Sequence, residues 1–195
     1  DRAGCPWATT AARTNCGPLY DDFEINRGWV RNPDGTDTAT AGAWQIGNPA
    51  GVTSNGAKQL GTTTSGRYAL VTGLAGASGS NANDLDGVST VASAPISLPA
   101  GAGQTLSFRF LWAHGSNSSS ADHLRAIVDA GGTQTVVFER TGSASKVGGS
   151  WGTATIPMDA WAGQTIRIRF EAVDGAGAST VEAGFDDVRV TRPTS

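Results

Sequence analysis

Lysine is almost missing from this chain of 195 residues: Lys58 and Lys146 are the only two, and twelve of the fourteen basic residues are arginine. The net charge is −3 and no basic tail or run occurs, which argues against nucleic acid as a partner. No apolar stretch approaches the roughly 18–20 residues of a membrane-crossing helix, so the chain is read as soluble with no membrane partner. No signal-peptide pattern is present, and the start at Asp1 without Met reads as a mature or excised fragment. There are two histidines, His114 and His123. Neither has a Glu three or four residues away and no HExxH occurs, so the metallopeptidase pattern is missing. No P-loop or dinucleotide fingerprint follows a βα pattern.

Cysteine is equally scarce. Cys5 and Cys16 are the only two, too few for a structural zinc site, which wants four ligands. A local disulfide is the better expectation, and it implies an oxidising, extracellular or periplasmic setting. So short a loop contributes about 3 kcal/mol at most. Residues 1–19 accordingly read as an N-terminal linker or extension carrying this bridge, and residues 20–195 as one domain.

What is abundant is glycine, at 27 residues, with Ala, Ser and Thr between short apolar runs. Alternation typical of strands appears at Tyr20–Ile25, Leu106–Trp112, Leu124–Val128, Val136–Glu139, Ile166–Glu171 and Asp186–Val190. Turn sequences such as Asn32-Pro-Asp-Gly and Asp129-Ala-Gly-Gly separate them. Short edge strands are expected around Gln59 and from Tyr68 to Val71, and a helical turn only near Met158–Trp161. Strands at this spacing without helices mean a β-sandwich or barrel.

Two acidic clusters stand at opposite ends of that pattern: Asp21-Asp22-Phe23-Glu24, and Asp186-Asp187 within Phe185–Val190. If the first and last strands are neighbours, their carboxylates converge and want a cation, and hard oxygen ligands suit Ca²⁺. Asp22 and Glu24 share a strand face. Asp186 has the phase of Val188 and Val190 whereas Asp187 does not, so one of the pair is expected to point away. Asp37, Asp84 and Asp86 are possible additional metal ligands in loops; Asp84-Leu-Asp86-Gly87 has a DxDG look but lacks the distal Glu of an EF-hand.

Catalytic patterns fare badly. Gly148-Gly-Ser150-Trp-Gly152 matches GxSxG formally, but that motif has meaning only on a strand–turn–helix elbow, and no catalytic residue is assigned. Among the six tryptophans, Trp29, Trp112 and Trp161 read as packing residues. Trp44, Tyr68 and Trp151 lie by loops and are the candidates for ligand binding. Arg109, Arg125, Arg167, Arg169 and Arg189 fall opposite the apolar phase and are expected along one outer sheet face, with Glu139 and Glu171 as partners.

Asp22-Phe-Glu24 followed by Gly28-Trp29, with Phe185-Asp-Asp-Val188 at the end, resembles the start and finish of jelly-roll carbohydrate-binding modules and MAM-like domains. The segments Asn32–Pro49, Lys58-Gln-Leu-Gly-Thr, Ala113–Asp122 and Trp161-Ala-Gly-Gln-Thr look like the non-catalytic domain appended to secreted bacterial proteases, notably zinc carboxypeptidases of actinobacteria and related soil bacteria. The resemblance covers about residues 20–192. It implies an all-β, antiparallel jelly-roll β-sandwich with structural Ca²⁺ held by Asp22, Glu24, Asp186 and Asp187. It also implies a secreted accessory module whose partners are a parent catalytic domain and a polymeric substrate, protein or polysaccharide. A carbohydrate-binding module is the alternative expectation, and a stand-alone hydrolase the third.

Overall fold

The alternating apolar residues emerge as two antiparallel sheets packed face to face. The computed structural model describes residues 17–75, 77–78, 84–175, 177 and 179–192, with 77–78 described by backbone alone. The Cys5/Cys16 pair lies outside the described residues. In chain order the strands are β1 (Leu19–Asp21), β2 (Val30–Arg31), β3 (Trp44–Gly47), β4 (Val52–Thr53), β5 (Ala69–Thr72), β6 (Ala77–Ser78), β7 (Gly87–Ala92), β8 (Ile96–Ser97), β9 (Thr105–His114), β10 (His123–Ala130), β11 (Thr133–Thr141), β12 (Trp151–Pro157), β13 (Thr165–Asp174) and β14 (Val181–Thr191). A 3-10 turn at Asp159–Trp161 separates β12 from β13, where a helical turn is expected from the sequence.

The first sheet runs β12-β9-β14-β5-β3, and β1 also pairs with β14. The second runs β11-β10-β13-β7-β2, with β8 beside β13. A short parallel pair, β4 with β6, stands apart. This is the antiparallel jelly-roll sandwich the sequence implies. Chain ends meet as expected, with Asp21 opposite Val188. Gly17 sits so close to the last strand that a Cβ there would come within 2.0 Å of the Val190 carbonyl oxygen. Only glycine admits that approach, at φ +82°.

The inner faces carry Leu106, Phe108, Phe185, Val188 and Val190 from one sheet and Leu124, Ala126, Ile168, Phe170 and Ala172 from the other. Phe170 and Phe185 stack across the interface with centroids 3.6 Å apart. Trp29 stacks on Phe170 at 5.4 Å and Trp44 leans on Phe185 at 5.7 Å. These rings form the thickest part of the core, each contributing roughly 1.5–3 kcal/mol by burial.

Two expectations are corrected. No strand forms at Gln59; the chain from Val52 to Thr64 instead lies over the outer face of the first sheet. Leu111 and Ala113 are out of phase with Phe108 and Trp112 yet buried on that side. Lys58 is fully buried there, its Nζ donating to the carbonyls of His114 (2.7 Å) and Val147 (3.0 Å). The arginines do not share one face either. Arg109 and Arg189 belong to the first sheet, while Arg125 bonds Glu139 (2.7 Å) and Glu171 (3.3 Å) on the second. Arg169 is buried between Asp34 and Asp129.

Candidate functional site

β2 and β3 are the terminal strands of their sheets on the same side of the sandwich. Between them opens a cavity of about 460 Å³. Its floor is apolar and buried: Phe23, Trp29, Trp44, Leu70 and Val91. Its mouth is mixed, with Ile25 54% and Tyr68 39% exposed beside Glu24, Asn26, Arg31 and Gln45. Tyr68 therefore stands at a cavity mouth.

One wall is the loop from Phe23 to Trp29, and its shape is local chemistry. Asp21 Oδ1 accepts the Phe23 amide (2.8 Å) and Oδ2 the Trp29 indole N–H (2.7 Å). Asn26 Oδ1 accepts the amides of Gly28 and Trp29 at 2.9 and 3.0 Å, a side-chain-closed turn. Burial pushes the Asp21 carboxyl above its ordinary value, and these bonds oppose the rise. The opposite wall is fixed by Glu24, whose Oε1 accepts the amides of Arg67 (2.6 Å) and Tyr68 (2.8 Å). Arg31 crosses the seam, its Nη1 donating to the Trp44 carbonyl at 3.3 Å.

Trp44, expected beside a loop as a binding residue, lines the cavity floor as part of the core. It is 0% exposed, and its indole N–H donates to the Ser89 carbonyl at 3.0 Å. Trp151 is half-buried away from this cavity, on the outer face of the first sheet. Its indole N–H donates to the Thr62 carbonyl at 3.1 Å. Ser150 precedes β12 in a loop, not at a strand–turn–helix elbow.

The terminal acidic clusters are adjacent but differently built from the expectation. β1 ends at Asp21 and Phe23 takes φ +57°, so Asp22 and Glu24 do not share a strand face. Asp22 is buried and its Oδ1 lies 3.4 Å from the Glu24 amide. At the other end a bulge between Asp186 and Arg189, with Asp187 at φ +49°, breaks strand parity. Neither aspartate points away: both accept from the same loop. Asp186 Oδ2 takes the amides of Thr64 (2.9 Å) and Ser65 (3.2 Å), and Asp187 Oδ1 takes the Ser65 hydroxyl (2.8 Å). Burial pushes Asp186 up to about 6 despite these bonds.

Among the described residues no three His, Cys, Asp or Glu side chains form a group able to hold a metal. Asp22, Glu24, Asp186 and Asp187 face N–H and O–H donors instead, a poor fit to a calcium clamp. Asp37 staples its loop to β7, accepting the Thr90 amide (2.7 Å) and hydroxyl (2.6 Å). Asp86 accepts the Thr40 hydroxyl at 2.7 Å.

Asp84 enters an acidic end of the sandwich that sequence reasoning missed. It lines a cavity of about 180 Å³ with Asp86, Asp174 and Ser179. Ser179 Oγ donates toward Asp174 Oδ1 (3.0 Å) and Asp122 Oδ2 (3.2 Å). Burial, then the nearby Asp122 charge, push Asp174 up to about 7. Glu182 is fully buried on β14; burial and the Asp84 charge push it up to about 9. These acids come from four separate segments, so no local pattern announces them.

No protein-family model matches the chain, and no curated protein does. Solved structures share its fold. The K1 cleaved adhesin domain of Lys-gingipain from Porphyromonas gingivalis aligns with a TM-score of 0.56 at 16% identity, over 90% of this chain and 98% of that one. The K3 cleaved adhesin domain of the same protein gives 0.51 at 15% identity, over 91% and 99%. A carbohydrate-binding module of the β-sandwich superfamily gives 0.50 at 9% identity, over 91% and 63%. At these identities the likeness is one of fold.

Proposed function

We propose that this chain is a non-catalytic module that binds a polysaccharide through the groove between β2 and β3. The observation carrying this reading is the groove itself: about 460 Å³, apolar at its floor, with exposed Tyr68 and several polar side chains at its mouth. A pocket of that size with a few polar groups on an apolar lining is the usual form of a small-ligand site. A planar ring beside hydrogen-bonding groups suits sugar rings. Its carboxylate, Glu24, is held by two backbone amides, so the groove offers shape and hydrogen bonds rather than acid–base chemistry. The fold shared with adhesin domains and a carbohydrate-binding module is compatible with this role. The partner within the parent protein is a secreted bacterial hydrolase, a peptidase on the resemblance of residues 32–49 and 113–122.

Affinity electrophoresis through gels holding neutral polysaccharides, with casein and collagen gels alongside, tests the reading. Retardation by a polysaccharide that Tyr68→Ala abolishes is expected. Retardation by the protein gels alone, or by none, overturns it.

A further inference from the structure

A second cavity of about 350 Å³ continues the groove beyond β3, between the Ala39–Ala43 loop and Gly73–Ala75. Gln45 and Leu74 line both cavities, so the two are compartments of one groove along the sheet edge. Gln45 forms the ridge between them. It is exposed, and its Oε1 accepts the Leu74 amide at 2.9 Å. That bond engages the side-chain oxygen and leaves the NH₂ as the group free to donate from a residue that lines both compartments; among the described residues it has no hydrogen-bond acceptor. A preoriented donor at the middle of an open groove is a device for reading a ligand oxygen.

We infer that this seam groove takes an extended run of neutral sugars spanning both compartments, with Gln45 as the residue that reads its midpoint. The inference rests on the polysaccharide reading above and adds length, charge and register to it. Length follows from the join: each compartment alone is the size of a small-ligand pocket, and the four residues of β3 extend the groove by about 13 Å. Charge follows from the lining. The first compartment holds one carboxylate and one guanidinium, Glu24 and Arg31, both already bonded to backbone. The second is lined only by Ala, Gly, Thr, Gln and Leu. The second compartment offers a uronate or phosphorylated polymer no cation, and in the first Glu24 accompanies Arg31 in the lining, so neither compartment carries a net positive charge. The small side chains of Ala41 and Ala43, with Gly42 between them, leave backbone close to the surface, where sugar hydroxyls reach it.

Calorimetric titration tests this with the neutral glucan, xylan or mannan that retards the chain, and with its oligosaccharides of one to six units. Affinity is expected to rise at least tenfold from the disaccharide to the longest oligosaccharides. Gln45→Glu keeps the acceptor for Leu74 and removes the donor; it is expected to weaken the long oligosaccharides about tenfold with the melting temperature unchanged. Ala43→Arg, which fills the second compartment, is expected to reduce long oligosaccharides to the affinity of short ones. Affinity that is flat with length, or indifferent to both variants while Tyr68→Ala still abolishes binding, overturns the two-compartment inference and leaves the polysaccharide reading standing. Tighter binding of a uronic-acid polymer overturns the neutral assignment. Loss of all glycan binding by the unaltered chain removes both.

Discussion

Thr64 directs its backbone N–H and its hydroxyl at the same oxygen, Asp186 Oδ2, at 2.9 and 2.7 Å. The Ser65 and Asp187 amides complete the set, so a fully buried carboxylate on the last strand is surrounded by protein donors. Hydrogen bonds to an ionised group are the stronger kind. Asp186→Ala strips the loop of its anchor and is expected to cost about 3 kcal/mol. Thr64→Val, which removes the hydroxyl and keeps the amide, is expected to cost about 1 kcal/mol. Urea unfolding of the two variants measures the ratio; equal losses would mean that the hydroxyl, not the set of amides, anchors the loop. The same loop leads into Tyr68, so Asp186→Ala is also expected to weaken retardation by polysaccharide.

Those donors bear on calcium. An ion at the chain ends would have to displace N–H and O–H groups already bound to Glu24, Asp186 and Asp187. Melting in millimolar Ca²⁺ and in EDTA is therefore expected to agree to within about 1 °C. A ligand binding only the folded state raises stability with concentration, so a calcium-dependent rise of several degrees would show that the ion outcompetes the hydrogen bonds.

The strands were legible because apolar alternation records which face is buried; the jelly-roll arrangement and the meeting of first and last strands were implied by the resemblance rather than by the alternation. The acidic clusters were legible as neighbours, but not in their local shape. A left-handed Phe23 and a bulge at Asp187 undo the parity on which face assignments rest. Trp44 misleads for a related reason. Its strand has four residues among glycines and alanines, too short to show a period, and its burial comes from Phe185 and Ser89, distant in sequence. Gln45 carries no sequence signal, since its role depends on the Leu74 amide across the groove.

Acidity at the Asp174 end makes stability depend on pH in a definite direction. Asp174 titrates at about 7 and Glu182 at about 9 in the folded chain, against ordinary values of about 4 in the unfolded one. Below pH 4 both states hold the protons and no penalty exists. Above it the unfolded chain ionises first, so the folded state loses stability until its own carboxyls ionise. The window runs from about pH 4 to 7 for Asp174 and on to about 9 for Glu182. The melting temperature is expected to fall by several degrees from pH 5 to 8. Asp174→Asn and Glu182→Gln should each flatten that slope; a slope unchanged in both would locate the titration elsewhere.

Phe185 is the hub of the aromatic core, stacked on Phe170 and touched edge-on by Phe108 at 5.3 Å. Phe185→Ala leaves a cavity between rings that cannot close over it, because both sheets are held apart by their other side chains. A loss of about 3–5 kcal/mol in urea unfolding is expected. Phe185→Leu, which keeps much of the volume, is expected to lose less than half of that.

Lys58 separates packing from charge. Its ammonium is fully buried and reaches the His114 and Val147 carbonyls, while burial lowers its proton affinity. Those two carbonyls do not depend on it alone. Val147 N–H donates to the His114 carbonyl at 3.0 Å and His114 N–H returns the bond at 3.1 Å. Removing the ammonium thus leaves no carbonyl without a donor, and it spares the desolvation of a cation. Lys58→Met, which preserves the stem, is expected to change stability by less than about 1 kcal/mol. Lys58→Ala opens a gap beneath the Val52–Thr64 segment, and is expected to cost about 2–4 kcal/mol. Thermal unfolding of both variants decides the point: equal, large losses would mean that the ammonium, rather than its methylene stem, holds the segment to the sheet.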